Sequence, residues 1–509
     1  MADQRRLRPF SAGILAALAG TAAGHLVAAL TVPASSPVLA VGTAVINLTP
    51  TPLKVWAVRE LGTRDKPVLI GSVLLGTLLL AGVAGLLARR RFAAGAVLLV
   101  ALVAAAGAAA LIQPAAGPLD ALPALVTAAV GLAVLAWLLR GTPTQGSGAS
   151  EAPGSTDSSR RGFLIGASVV AVASVVAAGT GQLVIRARNR ISDIALPSPR
   201  RSLPALPAGL EEKYDGISTF VTERSKFYRV DTNLTVPVVD VGSWKLTVDG
   251  DVDQEVTFTF DELTRMDVVE HDITLTCVSN EVGGNLVGAA RWLGVPLRDV
   301  LDRAGIGNTR ADQILSTAVD GFTISTPLQV ALDGRSSMVA FGMNGEPLPR
   351  EHGFPVRLVT PGIYGYVGST KWLAKLTLTT YDAQEAYWTR RKWATEAPIK
   401  LSSRVDTPRP LSTVDAGQQV IGGVAWAQPD GVDKVEVRLD GGEWQQAKLG
   451  PSGGVEYWRQ WYLPWRAESG SHQIAVRATN RKGETQTTAR STPFPDGSTG
   501  IQEVVVTVA

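Results

Sequence analysis

One cysteine is the residue most suited to chemistry in this chain. Cys277 is the only cysteine among 509 residues, and it lies within Thr276–Asn280. A lone thiol cannot form an intramolecular disulfide or half of a Cys-x-x-Cys metal site. Ile273–Leu275 predicts a strand, and the polar residues that follow it, with Gly283 and Gly284, predict its end. The sulfur is therefore expected where a strand opens into a loop. A buried spectator, a nucleophile and a soft ligand to one metal ion remain open, and the local pattern favours the ligand.

A second group of residues predicts an anion-binding site. His352, Arg357 and Lys371 supply positive charge or hydrogen-bond donors. They lie close in sequence to several glycines, which allow a backbone to approach a ligand closely. Charged donors of this kind hold phosphate groups. The alternative for His352 alone is a turn histidine, and for Arg357 and Lys371 it is ordinary surface charge.

These segments together resemble the sulfite oxidase family of molybdenum cofactor enzymes. The resemblance runs from about Tyr214 to the C-terminus, and its most specific part is Met343–Arg357, which reads MNGEPLPREHGFPVR. Ala290–Leu297 and Val367–Trp372 also carry it. The family joins a mixed α+β cofactor domain to an immunoglobulin-like dimerisation domain. The resemblance therefore implies molybdenum held by molybdopterin, and two-electron oxygen-atom transfer as the reaction.

The resemblance also implies roles for individual residues. Cys277 would bind the metal, and Arg229 and Trp393 would complete the catalytic set. A thiolate is a soft anionic ligand, which suits a high-valent metal that dithiolene sulfurs also hold. The residues implied to bind the cofactor are Tyr228, Arg229, Asn280, Asp320, His352, Arg357, Gly368, Ser369, Thr370 and Lys371.

Two positions depart from the family pattern. Sulfite oxidases carry an arginine pair soon after the cysteine, where this chain has Glu281–Gly284, and their active-site tyrosine aligns with Trp393. Losing a cationic donor from a buried anion site costs on the order of 2 kcal/mol. Glu281 adds repulsion. A neutral oxo-acceptor such as a sulfoxide or N-oxide is therefore expected at least as readily as sulfite.

The first third of the chain predicts a membrane domain. Five apolar runs have spanning length: Phe10–Thr31, Pro67–Ala88, Phe92–Gln113, Pro118–Leu139 and Gly162–Ile185. Pro37–Leu53 is also apolar, but Asn47, Pro50 and Pro52 interrupt it. This sixth run is therefore predicted to be re-entrant or interfacial.

Charged residues beside the spans predict the topology. Arginine clusters lie before the first span, between the second and third, and between the fourth and fifth. Because positive loops stay in the cytoplasm, residues after about Arg186 are expected on the extracytoplasmic side of the cell membrane. Arg160 and Arg161, just before the last span, resemble a twin-arginine export signal. The alternative is an ordinary basic flank.

Composition along the chain, together with the resemblance, predicts four regions. These are a membrane domain at 1–190, a linker at 191–212, a molybdopterin domain at 213–397 and an immunoglobulin-like domain at 398–509. Gly141–Ser159 is expected to be a flexible cytoplasmic linker. A hairpin turn is predicted at Asp249-Gly250, and a helix at Val295–Ala304.

The sequence leaves the electron partner open. Only His25 of the four histidines lies in a predicted span, so this chain alone cannot supply bis-histidine haem there. A separate cytochrome or quinone is therefore expected, and a homodimer is possible through the last domain. The net charge of +3 gives no argument for nucleic acid. A non-catalytic, membrane-anchored binding protein is the main alternative. A transporter is disfavoured because the predicted spans contain few charges.

Overall fold

The structure, a computed structural model, describes residues 4–61, 64–140, 155–188 and 194–509. These residues form two compact units. The first contains the N-terminal helices and Thr232–Val238, and the second contains the rest of the chain from residue 194 onward. Most of the predicted linker Gly141–Ser159 and the first residues of the predicted linker 191–212 lie outside the described residues.

The described part of the first unit contains seven α-helices. They are α1 (Gln4–Leu30), α2 (Pro37–Leu48), α3 (Thr51–Leu61), α4 (Asp65–Arg90), α5 (Phe92–Leu111), α6 (Leu122–Leu139) and α7 (Ser155–Arg188). Five helical segments, in α1, α4, α5, α6 and α7, are long and apolar enough to cross a membrane. They coincide with the five predicted spans. The twelve residues of α2 are too few for a bilayer.

Small residues allow these helices to approach one another closely. A Cβ atom built on Gly13 of α1 would lie 2.0 Å from the carbonyl oxygen of Ala81 in α4. One built on Gly20 would lie 2.5 Å from the carbonyl oxygen of Thr127 in α6. Close backbone contact through small residues is a common way for helices to associate in lipid.

The second unit begins with two five-stranded sheets. Their strands are β1 (Lys245–Gly250), β2 (Val256–Thr259), β3 (Val269–Thr276), β4 (Val287–Pro296), β5 (Gln313–Ala318), β6 (Thr323–Pro327), β7 (Met338–Met343), β8 (Glu346–Pro347), β9 (Arg357–Val359) and β10 (Leu373–Thr379). One sheet has the order β2-β1-β10-β5-β6. The other has the order β3-β4-β7-β8, with β9 also paired to β7. Four short helices connect them: α8 (Phe260–Thr264), α9 (Leu297–Asp302), α10 (Leu328–Ala331) and α11 (Gly365–Gly368).

Two local predictions in this region were wrong in detail. The chain does not turn at Asp249-Gly250, because both residues extend β1 and pair in parallel with β10. The predicted helix Val295–Ala304 is shorter, since Val295 and Pro296 remain in β4 and pair with β7. In both cases pairing with a distant strand outweighs the local turn or helix signal.

The last part of the unit consists of two further sheets on one apolar core. Its strands are β11 (Ser402–Thr407), β12 (Thr413–Val414), β13 (Gly417–Trp426), β14 (Val432–Leu439), β15 (Trp444–Gln446), β16 (Lys448–Ser452), β17 (Arg459–Ala467), β18 (Gly470–Asn480) and β19 (Gln502–Val508). The sheet orders are β11-β13-β17-β16 and β12-β19-β18-β14-β15. Ile421 and Trp461 from one sheet pack with Val435, Val476 and Val506 from the other. We call residues 402–509 the C-terminal two-sheet region.

The two-sheet region also covers the free edge of β3. Strand β3 lies at the end of its sheet, with β4 on one side. On the other side, the backbone N–H of Thr274 donates to the carbonyl oxygen of Glu456 at 2.9 Å. The Thr274 hydroxyl accepts from the backbone N–H of Trp458 at 2.9 Å, and the Gln428 amide donates to the Thr274 carbonyl at 3.0 Å. The strand that leads to Cys277 is thus held from both sides.

Candidate functional site

Cys277 lies directly after β3, as predicted, and is buried. Its backbone N–H donates to the Leu286 carbonyl at 2.9 Å, and its carbonyl accepts from the Asn280 N–H at 3.0 Å. The Asn280 side chain accepts from the Leu286 N–H at 2.8 Å. Asn280 therefore closes the loop that holds the thiol. Burial raises the pKa of the Cys277 thiol, while hydrogen bonds from Ser279 and the charge of Lys371 oppose that rise.

Helix α11 lies beside the cysteine loop. A Cβ atom on Gly365 would lie 3.7 Å from the hydroxyl oxygen of Tyr228 and 3.8 Å from the carbonyl oxygen of Thr276. One on Gly368 would lie 2.7 Å from the Ile363 side chain, so only glycine fits there. Burial, and secondly the negative charge of a Cys277 thiolate, raise the pKa of Tyr228, which keeps the phenol protonated. The structure thus brings Tyr228, Cys277 and the start of α11 together.

His352 and Arg357 come from the turn and strand around β9. Gly353 between them has φ +111°, a conformation that favours glycine. Arg357 is buried, donates to the His352 carbonyl at 3.1 Å, and places its guanidinium over the Trp292 ring. Burial lowers the pKa of Arg357 to about 10. Arg357 therefore remains a cation at neutral pH.

His352 is neutral at ordinary pH. Burial, and then the charge of Arg357, lower its pKa to about 4. Its Nε2 lies 3.1 Å from the carbonyl oxygen of Arg224, and a carbonyl partner assigns the proton to Nε2. The ring consequently serves as a fixed neutral group beside two cations.

Asp231 is the site residue that the sequence did not reveal. Its Oδ2 atom accepts from Arg229 Nε at 2.8 Å and from Lys371 Nζ at 2.9 Å. The Asp231 side chain is only 4% exposed, and that of Lys371 is 12% exposed. Burial lowers the pKa of Lys371 to about 8, although Asp231 opposes this shift. With Arg357, three potential cations lie in this part of the site together with the Asp231 carboxylate. The only sequence signal was an acidic residue two positions after Arg229.

Several buried polar atoms at this site have no hydrogen-bond partner among the described residues. They are Arg357 Nε, Ser369 Oγ, Thr360 Oγ1 and Thr276 Oγ1. Thr370, by contrast, shares a hydrogen bond with the Ser316 hydroxyl. An unpaired buried donor or acceptor costs about 1–3 kcal/mol. Unpaired donors, positive charge and a buried thiol fit an anionic, polar cofactor that carries a metal able to bind a thiolate.

Asp320 and Trp393 lie on two further parts of the site. Asp320 occupies the turn after β5, where its carboxylate accepts from the Phe322 N–H at 3.0 Å. The adjacent Val319 N–H donates to the Trp372 carbonyl at 2.8 Å, so this turn lies alongside the segment of Lys371. Trp393 packs against the apolar cluster that contains Val278, the neighbour of Cys277. Its Nε1 atom is buried and lacks a partner in the part of the chain that the structure describes.

Similarities to known proteins point to the same kind of cofactor as these residues do. A family model described as "Oxidoreductase molybdopterin binding domain" matches residues 233–388. The chain is similar to mitochondrial sulfite oxidase of Homo sapiens, with 31% identity over 307 residues, covering 50% of this chain and 55% of that protein. It is also similar to nitrate reductase [NAD(P)H] of Hordeum vulgare, with 29% identity over 315 residues, covering 49% of this chain and 35% of that protein.

A solved structure supports the same fold. The sulfane dehydrogenase SoxCD from Paracoccus pantotrophus matches with a TM-score of 0.50 and 21% identity, covering 58% of this chain and 84% of that chain. The chain spans about half the length of the mammalian sulfite oxidases that it matches. These similarities support the predicted class, a molybdopterin-dependent oxidoreductase of sulfite oxidase type, and a molybdenum–molybdopterin cofactor.

Proposed function

We propose that this chain is a membrane-anchored oxidoreductase that catalyses two-electron oxygen-atom transfer on a small sulfur- or nitrogen-containing substrate outside the cytoplasm. The observation that carries the proposal is the buried Cys277 thiol in a site where Arg229, Arg357 and Lys371 outnumber the carboxylate of Asp231. Such a site suits a metal cofactor with an anionic tail. The substrate and the reaction direction are parts of this proposal.

Each part of the site then has a distinct task. Cys277 binds molybdenum as a thiolate, and Arg357, Lys371 and Ser369 hold the phosphate of the pterin. The other residues of the cofactor set orient the pterin: Tyr228, Arg229, Asn280, Asp320, His352, Gly368 and Thr370. When bound, the cofactor supplies the two-electron redox centre that exchanges an oxygen atom with the substrate. Arg229 and Trp393 position that substrate.

The proposed substrate class rests on positive charge that is missing after Cys277. The stretch Glu281–Gly284 has no cation where sulfite oxidases have an arginine pair, and Glu281 is exposed. Desolvating a sulfite anion beside such a loop is unfavourable. A sulfoxide or N-oxide is neutral, and its single oxygen needs only one or two donors. We therefore place a sulfoxide or N-oxide ahead of sulfite.

The anchoring and partners rest on further observations. Five helices of spanning length and the arginine clusters support a membrane anchor with the second unit outside, and Arg160-Arg161 supports export through the twin-arginine route. A membrane cytochrome or quinone then exchanges electrons with the site. Two sheets on one core support an immunoglobulin-like domain at 398–509. We propose this domain as the surface for a homodimer, because the family that the sequence resembles dimerises through it.

The test measures molybdenum and released pterin in the full chain, purified after expression in a cofactor-competent host. We expect about one molybdenum and one pterin per chain. Turnover of dimethyl sulfoxide and trimethylamine N-oxide with reduced methyl viologen, beside sulfite oxidation with ferricyanide, then identifies the substrate class. Absence of both metal and pterin would favour the non-catalytic binding protein instead.

A further inference from the structure

A loop of the C-terminal two-sheet region enters the site of the preceding sheets. This loop comprises residues 493–500. Its Ser498 hydroxyl donates a hydrogen bond to the carbonyl oxygen of Asn280, with 2.8 Å between the two oxygens. Its Pro495 carbonyl accepts from the Ala394 N–H at 3.2 Å. A Cβ atom on Gly497 would lie 2.5 Å from the Tyr364 ring, so the loop backbone lies directly against that ring. The loop is therefore fixed on both the cysteine loop and the segment that carries Trp393.

Phe494 in this loop completes a set of rings in tilted or edge-to-face contact that we call the aromatic wall: Tyr366, Trp388, Trp393 and Phe494. Ring centroids are 5.6 Å apart for Tyr366 and Trp393, and 5.8 Å apart for Trp388 and Trp393. Phe494 meets Trp393 edge to face at 5.2 Å, yet remains 45% exposed. Because its contact with Trp393 leaves the Phe494 ring about half exposed, part of that ring is available to an apolar group.

The wall also presents one polar atom. Trp393 Nε1–H is buried and has no acceptor among the residues that the structure describes. An unpaired buried donor is costly, and an oxygen acceptor on a bound molecule would satisfy it. Tyr366, the ring next to Trp393, belongs to α11, whose first residue faces Tyr228 and Thr276 beside Cys277. Trp393 is thus linked through Tyr366 to the helix that lies beside the thiol.

We infer that the aromatic wall selects sulfoxides with an aryl or similarly bulky apolar substituent, with Phe494 contacting that substituent and Trp393 donating to the sulfoxide oxygen. The inference rests on the proposed function and adds a specificity residue from the two-sheet region. Sulfur and apolar carbon pack favourably on aromatic rings. The faces of such rings carry partial negative charge, which disfavours an anion such as sulfite.

The test compares methyl p-tolyl sulfoxide with dimethyl sulfoxide. Binding to the full chain is measured by calorimetry without a reductant, so that no turnover occurs. Phe494→Ala should weaken binding of the aryl sulfoxide about tenfold and leave dimethyl sulfoxide almost unchanged. Trp393→Phe should weaken both about fivefold, because it removes the shared hydrogen bond. Leu411→Ala is the control, since Leu411 is 86% exposed in the same region and outside the wall.

Turnover with reduced methyl viologen gives an independent reading. Phe494→Ala should raise KM for the aryl sulfoxide with little change in kcat, whereas Phe494→Leu, which keeps the apolar volume, should be intermediate. If Phe494→Ala binds both sulfoxides as the wild type does, or the wild type binds neither, the inference is overturned. If the wild type shows wall-dependent binding but reduces no sulfoxide, the inference stands and the proposed reaction fails.

Discussion

Lys371 donates a hydrogen bond to Asp231, with 2.9 Å between Nζ and Oδ2. Because the same oxygen accepts from Arg229 Nε at 2.8 Å, one buried carboxylate fixes the positions of two cations. These cations come from segments more than a hundred residues apart. The Asp231 carboxylate thereby orders this part of the site. The positive charge that it does not neutralise is available to an anionic ligand.

The first prediction concerns pH. Burial lowers the pKa of Lys371 to about 8, so its positive charge is present below pH 8 and is lost as pH rises above it. An anion bound there favours the charged form, so its affinity should fall as pH rises from 7 to 9, by about tenfold. Molybdenum retained after dialysis at pH 7 and pH 9 measures this.

The neighbouring groups make that pH range specific for Lys371. The pKa of His352 is lowered to about 4, so it stays neutral throughout, and that of Arg357 is lowered only to about 10. Lys371→Arg keeps its charge to higher pH and should flatten the dependence. Equal slopes in Lys371→Arg and the wild type would contradict the assignment.

The second prediction tests Cys277 as the metal ligand. Cys277→Ser should abolish activity and remove most of the molybdenum, because a hydroxyl is a harder and far less acidic ligand. Its free energy of unfolding should change by only about 1 kcal/mol. The matched control is Val278→Ala at the adjacent buried position, which should cost more stability, about 2 kcal/mol, and keep the metal. Full activity with bound cofactor in Cys277→Ser would refute the role.

The third prediction concerns the turn that carries His352. Gly353→Ala combines an unfavourable φ of +111° with a Cβ atom 3.1 Å from the Cα of Lys371. We expect loss of molybdenum as well as lower stability. Gly345→Ala is the control, because Gly345 has φ +80° but nothing within 4 Å of its Cβ. Gly345→Ala should lower the free energy of unfolding by about 1 kcal/mol, from backbone strain alone. Metal contents that match in the two variants would rule out a positioning role for Gly353.

The fourth prediction concerns a buried ion pair between β3 and β4, the strands that lie on either side of the cysteine loop in sequence. Arg291 and Asp272 lie opposite each other on β4 and β3, and two hydrogen bonds of 2.9 and 2.8 Å join them. Their side chains are 17% and 9% exposed. Asp272→Ala should therefore lower the free energy of unfolding by about 3 kcal/mol, since it leaves the charge of Arg291 with backbone carbonyls but no carboxylate.

Scanning calorimetry of the full chain measures this effect. The control is the exposed pair of Arg200 and Asp267, whose side chains are 75% and 62% exposed. Asp267→Ala should change stability by less than about 1 kcal/mol. The double variant Asp272→Leu with Arg291→Met should regain most of the loss. If Asp272→Ala lowers the free energy of unfolding by as little as Asp267→Ala does, the buried pair does not stabilise the fold more than the exposed pair.

The sequence predicted the parts of the site that depend on local pattern. The alternation before Cys277 and the glycines after it predicted the strand and loop, because both signals lie within a few residues. Asp231 and Phe494 could not be found in this way. Their partners Lys371 and Trp393 are distant in sequence, and only the packing of separate sheets brings them together. The same applies to β1, which passes through Gly250 because β10 pairs with it.

The cover on the free edge of β3 has a consequence for biosynthesis. The residues that close this edge, Gln428, Glu456 and Trp458, leave the ribosome long after Thr274. Until then the strand is an open template for pairing with other chains, which is a route to aggregation. The cysteine loop acquires its final surroundings only after these residues have been synthesised. Stable insertion of a cofactor beside Cys277 is therefore expected only after the two-sheet region has closed this edge.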